Sequence, residues 1–251
     1  MKKEKLFFNE FQKYVSDNII NFISQKMKEK FEVYFYELIE WNKFLNLISF
    51  KNEKNLIYRH FCDSLYSAKI ISDITGNKDT VLKTIDIGTG SGMPGIPVKI
   101  VLPSIKMTLI ESITKKCKFL ENVNRKLGLY MEILNSRAEE IGQKAKYRQQ
   151  YDFVLSRAVS KLSPNLEISI PLLKVGGYFI VHKTKKSTES AENGLPSVEN
   201  ALKHLETKLE QVISYNLPEQ KLDYCILVFK KYKDTQAHFP RKSGVPEKKP
   251  L

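Results

Sequence analysis

Two apolar rhythms divide the chain. Over residues 1 to about 75, Phe8, Phe11, Ile19, Phe22, Ile23, Met27, Phe31, Tyr34, Phe35, Leu38, Trp41, Phe44 and Leu45 recur at roughly helical spacing, and no glycine interrupts them before Gly76. That spacing predicts amphipathic helices, with a further one over Asn55–Ile70. From Val81 the rhythm changes. Short β-branched runs predict strands at 82–87, 106–110, 131–134, 151–155, 178–182, 209–214 and 224–230, and helical segments fall at 95–101, 114–127, 164–173 and 198–205. Such alternation predicts an α/β fold, a mostly parallel sheet with helices on both faces. The last two strands are separated only by residues 215–223, too few for a helical crossover, so they should pair antiparallel. The polar stretch Thr184–Pro196 reads as a loop. The expected layout is a helical extension over 1–75, a seven-stranded α/β domain over 76–235 and a basic tail over 236–251.

Composition narrows the class. With 251 residues and 42% apolar content, the chain can bury one sizeable core. No apolar run is long enough to span a bilayer and no signal core follows Met1, so a soluble cytoplasmic protein is expected. Lys and Arg total 41 against 28 Asp and Glu, a formal charge of +13. Such an excess favours a polyanionic partner through counterion release. Cys62, Cys117 and Cys225 are odd in number and lack a C-x-x-C pair, so neither a disulfide framework nor a metal site is expected.

The chemistry concentrates at strand ends. Asp86-Ile-Gly88-Thr-Gly90-Ser-Gly92-Met93-Pro94-Gly95 closes a strand and opens a helix. Alternate glycines let a ligand approach the backbone closely, at the strand edge where open parallel sheets bind ligands. The spacing is G-x-G-x-G, not the G-x-G-x-x-G of a dinucleotide site, and Asp86 would repel a pyrophosphate. It suits the cationic methionine end of S-adenosylmethionine, directly or through a water. Glu111, about 20 residues on, stands where an acid commonly accepts both ribose hydroxyls; an ordinary first-turn helix acid is the alternative. Arg137-Ala138-Glu139 follows the third strand, where an adenine would lie, although a plain helix start reads equally well. Ser156-Arg157-Ala158 ends the fourth strand. Arg157 suits the donor carboxylate, an RNA phosphate or a structural salt bridge.

These strings, taken with Trp41-Asn-Lys-Phe-Leu-Asn-Leu47, His60-Phe-Cys-Asp63-Ser-Leu65 and Pro240-Arg-Lys-Ser-Gly-Val-Pro246 in the same order, resemble the RsmG family (glucose-inhibited division protein B) from about Glu40 to Leu251. The resemblance implies a class I, Rossmann-like methyltransferase fold. It also implies transfer of a methyl group from S-adenosylmethionine to N7 of guanine 527, in the 530 loop of 16S rRNA or a small-subunit precursor, by a monomeric enzyme. By matching position, the donor contacts would be Gly88, Gly90, Met93, Glu111, Ser112, Ile113, Ala138, Glu139 and Arg157. Glu111 stands where the family commonly has Asp, and Lys183-Thr184 replaces the more usual Lys-Gly.

Guanine N7 is an unprotonated lone pair, so its methylation requires no general base and no catalytic residue is assigned. Arg157, Lys183, Arg241 and Lys242, with Lys248 and Lys249, are expected to contact RNA phosphates. The tail lies outside the strand-edge motifs, so it is expected to leave the donor site untouched. Two other readings are an RNA-binding assembly factor with a vestigial donor site and a nicotinamide-dependent reductase. An intact glycine loop and strand-two acid weigh against the first, and the loop spacing against the second.

Overall fold

The computed structural model describes residues 23–76, 81–184, 198–218 and 223–251, together with Glu10, Phe11, Tyr14, Val15 and Ile19. Phe8 and Phe22 of the N-terminal pattern, and 185–196 of the polar stretch, lie outside the described residues. Helix α1 (Gln25–Leu45) begins where Ser24 Oγ accepts from the Met27 amide at 3.3 Å and ends at Asn46, whose left-handed backbone (φ 47°) stops it. Phe31, Tyr34, Phe35 and Leu38 form its buried stripe, at i, i+3, i+4 and i+7. The helix expected over 55–70 is helical throughout but not uniform. A short α2 (Glu53–Leu56) widens into a π-helical turn (Ile57–Cys62) and continues as α3 (Asp63–Thr75).

Then follow β1 (Lys83–Ile87), α4 (Gly95–Val101), β2 (Lys106–Glu111), α5 (Thr114–Leu127), β3 (Glu132–Asn135), α6 (Ala138–Gln143) and β4 (Tyr151–Arg157). Beyond them lie α7 (Leu162–Ser169), β5 (Leu173–Thr184), α8 (Glu199–His204), β6 (Thr207–Tyr215), β7 (Tyr224–Lys231) and α9 (Val245–Lys248). The sheet order is β3-β2-β1-β4-β5-β7-β6. The pairs β1·β2, β1·β4, β2·β3 and β4·β5 are parallel, and β7 runs antiparallel to both β5 and β6. This is the doubly wound, seven-stranded sheet expected from the sequence. One expectation is corrected. The helix placed over 164–173 stops at Ser169, a 3-10 turn covers Ile170–Leu172, and β5 already begins at Leu173, pairing with Tyr151. Gly176-Gly177 interrupts the apolar rhythm and hides that early start.

Two apolar layers cover the sheet. The N-terminal helices are part of the larger one. Phe31, Tyr34, Phe35 and Phe61 share a cluster with Leu109 of β2 and Phe119 of α5, and the Tyr34 and Phe119 rings stack 6.4 Å apart. Tyr34 also donates its hydroxyl to the Ser91 carbonyl at 2.6 Å, so the helical extension braces the glycine loop. All three cysteines are buried, and none forms a disulfide among the described residues. Among the described residues no helix is long and apolar enough to cross a membrane.

Candidate functional site: two adjoining cavities at the strand ends

The crossing from β1 to α4 is shaped by contact. Gly88 (φ 60°) and Gly92 (φ 95°) hold left-handed backbone. A Cβ on Gly88 would lie 2.7 Å from Val159 Cγ2, and one on Gly92 2.3 Å from Ile96 Cδ1. Both positions therefore require glycine. Asp86 holds the loop from below. Its Oδ2 accepts from Thr89 Oγ1 at 2.6 Å and from the Gly95 amide at 2.9 Å. It is fully buried, and Oδ1 has no hydrogen-bond partner. Asp86 thus holds the loop and lines neither of the two cavities described below.

Burial pushes the Asp86 carboxyl up to about 7, against the pull of its two hydrogen bonds and the Arg157 charge. The sign follows from linkage. A folded-state value above the ordinary 3.8 means that the folded state binds more protons over that interval. Its stabilising contribution is complete below about pH 4 and is lost as pH rises through 7. Asp86→Asn keeps the acceptor oxygen and cannot ionise. The wild-type melting temperature, referred to that of this variant, should therefore fall between pH 5 and pH 8; a constant difference across that range would refute the assignment.

Glu111 ties the second strand to the same loop. Its Oε2 accepts from the Gly90 amide at 3.0 Å and its Oε1 from the Ile113 amide at 2.8 Å. Each oxygen keeps one further lone pair for another donor. Beside it lies a cavity of about 510 Å³. Gly88, Ile110 and Ser112 form one wall and Ser136, Ala138 and Glu139 a second. Of the expected donor residues, Gly88, Ser112, Ala138 and Glu139 line this cavity; Glu111, which accepts from the Gly90 and Ile113 amides, stands behind the lining, between Ile110 and Ser112. Met93 sits buried behind the loop, its sulfur accepting from Ser64 Oγ at 3.4 Å.

The tail supplies a wall that was not expected. Ser243, Gly244, Pro246 and Glu247 line the same cavity, and the Gly244 amide donates to Glu139 Oε1 at 2.9 Å. The tail is pinned upstream by Arg241, whose Nε and Nη2 donate to the two oxygens of fully buried Glu167 at 2.8 and 2.5 Å. The tail, which lies apart from the strand-edge motifs in sequence, thus borders the same cavity as Gly88, Ser112, Ala138 and Glu139. Arg241 is turned inward as an anchor, whereas Lys242, Lys248 and Lys249 are exposed. Pro240 to Pro246 carry no apolar period, and their Pro, Ser and Gly residues signal turns without saying what the turns pack against; in the structure Gly244 takes the left-handed backbone (φ 79°).

Arg157 points away from this cavity. Its Nη1 donates to Asp63 Oδ2 at 2.9 Å and its Nη2 to His60 Nδ1. A guanidinium only donates, so His60 carries its proton on Nε2, directed at the Ser49 carbonyl 3.2 Å away. Burial, and then the Arg157 charge, hold the His60 imidazole well below its usual value. Burial alone would raise the Asp63 carboxyl, but His182 and Arg157 hold it at about 2. The hydroxyl of Tyr215 donates to Asp63 Oδ1. The wide π-helical turn thus places His60 and Asp63 on one guanidinium, and of the three sequence readings of Arg157 the geometry is that of the buried ion pair.

Arg157 and Asp63 also help line a second cavity of about 270 Å³ with Arg59, Lys183 and Tyr224. Lys183 donates Nζ to the Ser160 carbonyl at 2.7 Å, and burial lowers its affinity for the proton. Both cavities are lined by Ala158, which holds left-handed backbone at φ 55° just past β4. Among the described residues, no cluster of His, Cys, Asp and Glu could hold a metal.

Comparison with known proteins places this architecture. A family model described as rRNA small subunit methyltransferase G matches residues 27–217. A ribosomal RNA small subunit methyltransferase G from Alkaliphilus oremlandii is 42% identical over 85% of this chain and 86% of its own. One of the same name from Acetivibrio thermocellus is 42% identical over 89% and 88%. Among solved structures, a 16S rRNA (adenine(1408)-N(1))-methyltransferase from Catenulisporales acidiphilia, crystallised with S-adenosylmethionine, superposes with a TM-score of 0.50. It is 13% identical and covers 62% of this chain and 87% of that one, a likeness of fold alone. With the strand-edge glycine loop and the length of these matches, the chain belongs to the rRNA small subunit methyltransferase G family.

Proposed function

We propose that the protein transfers a methyl group from S-adenosylmethionine to N7 of a guanine in the 16S rRNA of the small ribosomal subunit, guanine 527 by family resemblance. The single observation that carries this reading is the pair of cavities meeting at Ala158. One is framed by glycine backbone and a carboxylate, the other by cations.

The residues present fit the donor. Gly88 and Ser112 offer close backbone approach, Glu111 retains acceptor capacity for hydroxyls, and Ala138 and Glu139 border the space for an adenine. The donor supplies an electrophilic sulfonium methyl. The protein binds, orients and excludes water, and the rate rests on holding the reacting atoms close and in line. No proton must be removed from N7, so no side chain is assigned as a base. Lys242, Lys248, Lys249 and the rim residue Arg59 are exposed cations suited to phosphates.

Two consequences follow for pH. Donor affinity should strengthen as pH rises through about 7, because Asp86 must ionise to favour a cation above its loop. The single-turnover rate at saturating donor should lack an ionisation near neutrality that belongs to a base. An essential base, identified from the rate profile and confirmed by its removal, would instead favour an exocyclic amine or ring carbon as the target. The decisive experiment maps 7-methylguanine in small-subunit rRNA from cells with and without the gene. An unchanged pattern would overturn the proposal.

A further inference from the structure

The second cavity has features that the donor site does not explain. Tyr224 is 7% exposed and its hydroxyl, buried at the cavity wall, has no hydrogen-bond partner. A buried hydroxyl without a partner is uncommon, because the fold loses hydration there and gains nothing in return. The ring itself is held: it lies 5.9 Å from Tyr215, near-parallel at 26°. In the antiparallel ladder Lys183 of β5 pairs with Cys225 of β7 and Thr184 with Tyr224, so Lys183 and Tyr224 leave one end of the sheet on opposite faces and flank the cavity from two sides. Lys183 is half-buried, and one of its three N–H groups is used on the Ser160 carbonyl.

We infer that this cavity is the target-base pocket, and that the Lys183 ammonium and the unpartnered Tyr224 hydroxyl read O6 of the purine and so select guanine over adenine. The inference rests on the proposed methylation of guanine N7 and names the residues that choose the base. Its logic is positional and chemical. The cavity adjoins the donor cavity at Ala158, so a base seated in it presents an edge toward the donor. Its volume, about 270 Å³, is just under the ~300–1,000 Å³ usual for ligand clefts, which suits a nucleobase without its sugar and phosphate. On guanine, O6 adjoins N7 on the major-groove edge and both are acceptors. On adenine, an amine donor replaces O6. Lys183 can only donate, so it accepts the first edge and opposes the second. Arg59 is exposed at the rim, where the flanking phosphate of an extruded nucleotide would pass.

The test uses the full chain and small-subunit rRNA from cells lacking the gene. Tyr224→Phe removes only an atom that has no partner, so it should melt no lower than wild type and bind S-adenosylmethionine equally well. It should still lower single-turnover methylation by roughly tenfold, as expected for one lost hydrogen bond in a dry pocket. Lys183→Met should act in the same direction. The specific readout is a cycle with rRNA carrying 2-aminopurine, which lacks O6, at the target position. Wild type should prefer guanine over 2-aminopurine by a wider ratio than either variant, and inosine, which keeps O6, should behave as guanine does. Intrinsic N7 reactivity cancels in this comparison, and a merely structural role would leave the ratio unchanged. If wild type makes 7-methylguanine while both variants keep its rate and its ratio, the pocket assignment is overturned. If wild type makes no 7-methylguanine, the proposed reaction fails first.

Discussion

Replacing Gly88 by aspartate is expected to reduce affinity for S-adenosylmethionine at least ~100-fold, equivalent to about 3 kcal/mol, while the protein stays folded. Aspartate tolerates left-handed backbone better than most residues, so the φ of 60° is not the main obstacle. The obstacle is space and charge. The new Cβ would stand 2.7 Å from Val159 Cγ2, and Val159 lines the cavity proposed for the donor, so relieving the clash pushes a methyl into the ligand's place. Any affinity left is further reduced by a carboxylate at the closest approach of the backbone. The two contributions separate. Gly88→Ala combined with Val159→Ala should recover much of the binding, whereas Gly88→Asp with Val159→Ala should not. Calorimetry showing wild-type affinity in folded Gly88→Asp would mean that the donor lies elsewhere.

The second large effect concerns the tail. Arg241→Ala would leave Glu167, fully buried, with an uncompensated charge. Breaking one side of a buried pair costs about 3–5 kcal/mol. Arg241 keeps 26% of its side chain exposed, so we expect the lower end, ~3 kcal/mol. For a domain of this size that is a fall of roughly 6–12 °C in melting temperature. Donor affinity should fall as well, because the segment that Arg241 anchors walls the cavity proposed to hold the donor. Lys242→Ala, one residue on, should do the reverse. Its melting should hardly move, while the slope of log affinity for RNA against log salt should become shallower by about one. A variant of Arg241 with normal melting and normal donor binding would show that the tail is not anchored as described.

Much of this was legible beforehand because it depends on local chemistry. Helices α4 and α5 carry their own periodicity and stops, and their bounds match the expectation. The glycine loop and Glu111 could be placed because strand-end turns bind ligands by geometry alone. What was not legible depends on long-range pairing. Arg157 has three partners of equal plausibility in sequence, and only the π-helical turn of 57–62 with the first residue of α3, 94 residues or more away along the chain for each of its contacts, selects His60 and Asp63. Arg241 was read as an RNA contact because a basic residue in a turn-rich tail advertises exposure. Its partner Glu167 lies in a helix with no other sign of importance. Tyr224 looked like one more aromatic residue in a strand, and its orphaned hydroxyl exists only in three dimensions.

The burial of Cys62, Cys117 and Cys225 makes the molecule a clean host for site-specific probes. Maleimide dyes react with accessible thiolates, and a sealed thiol in apolar surroundings is inert. A single cysteine introduced at Lys248 would then be the sole labelling position, and an environment-sensitive fluorophore attached there would report the docking of the tail in real time. Stopped-flow traces taken on mixing with donor, and separately with rRNA, would resolve whether the wall over the donor cavity settles before or after the nucleic acid arrives.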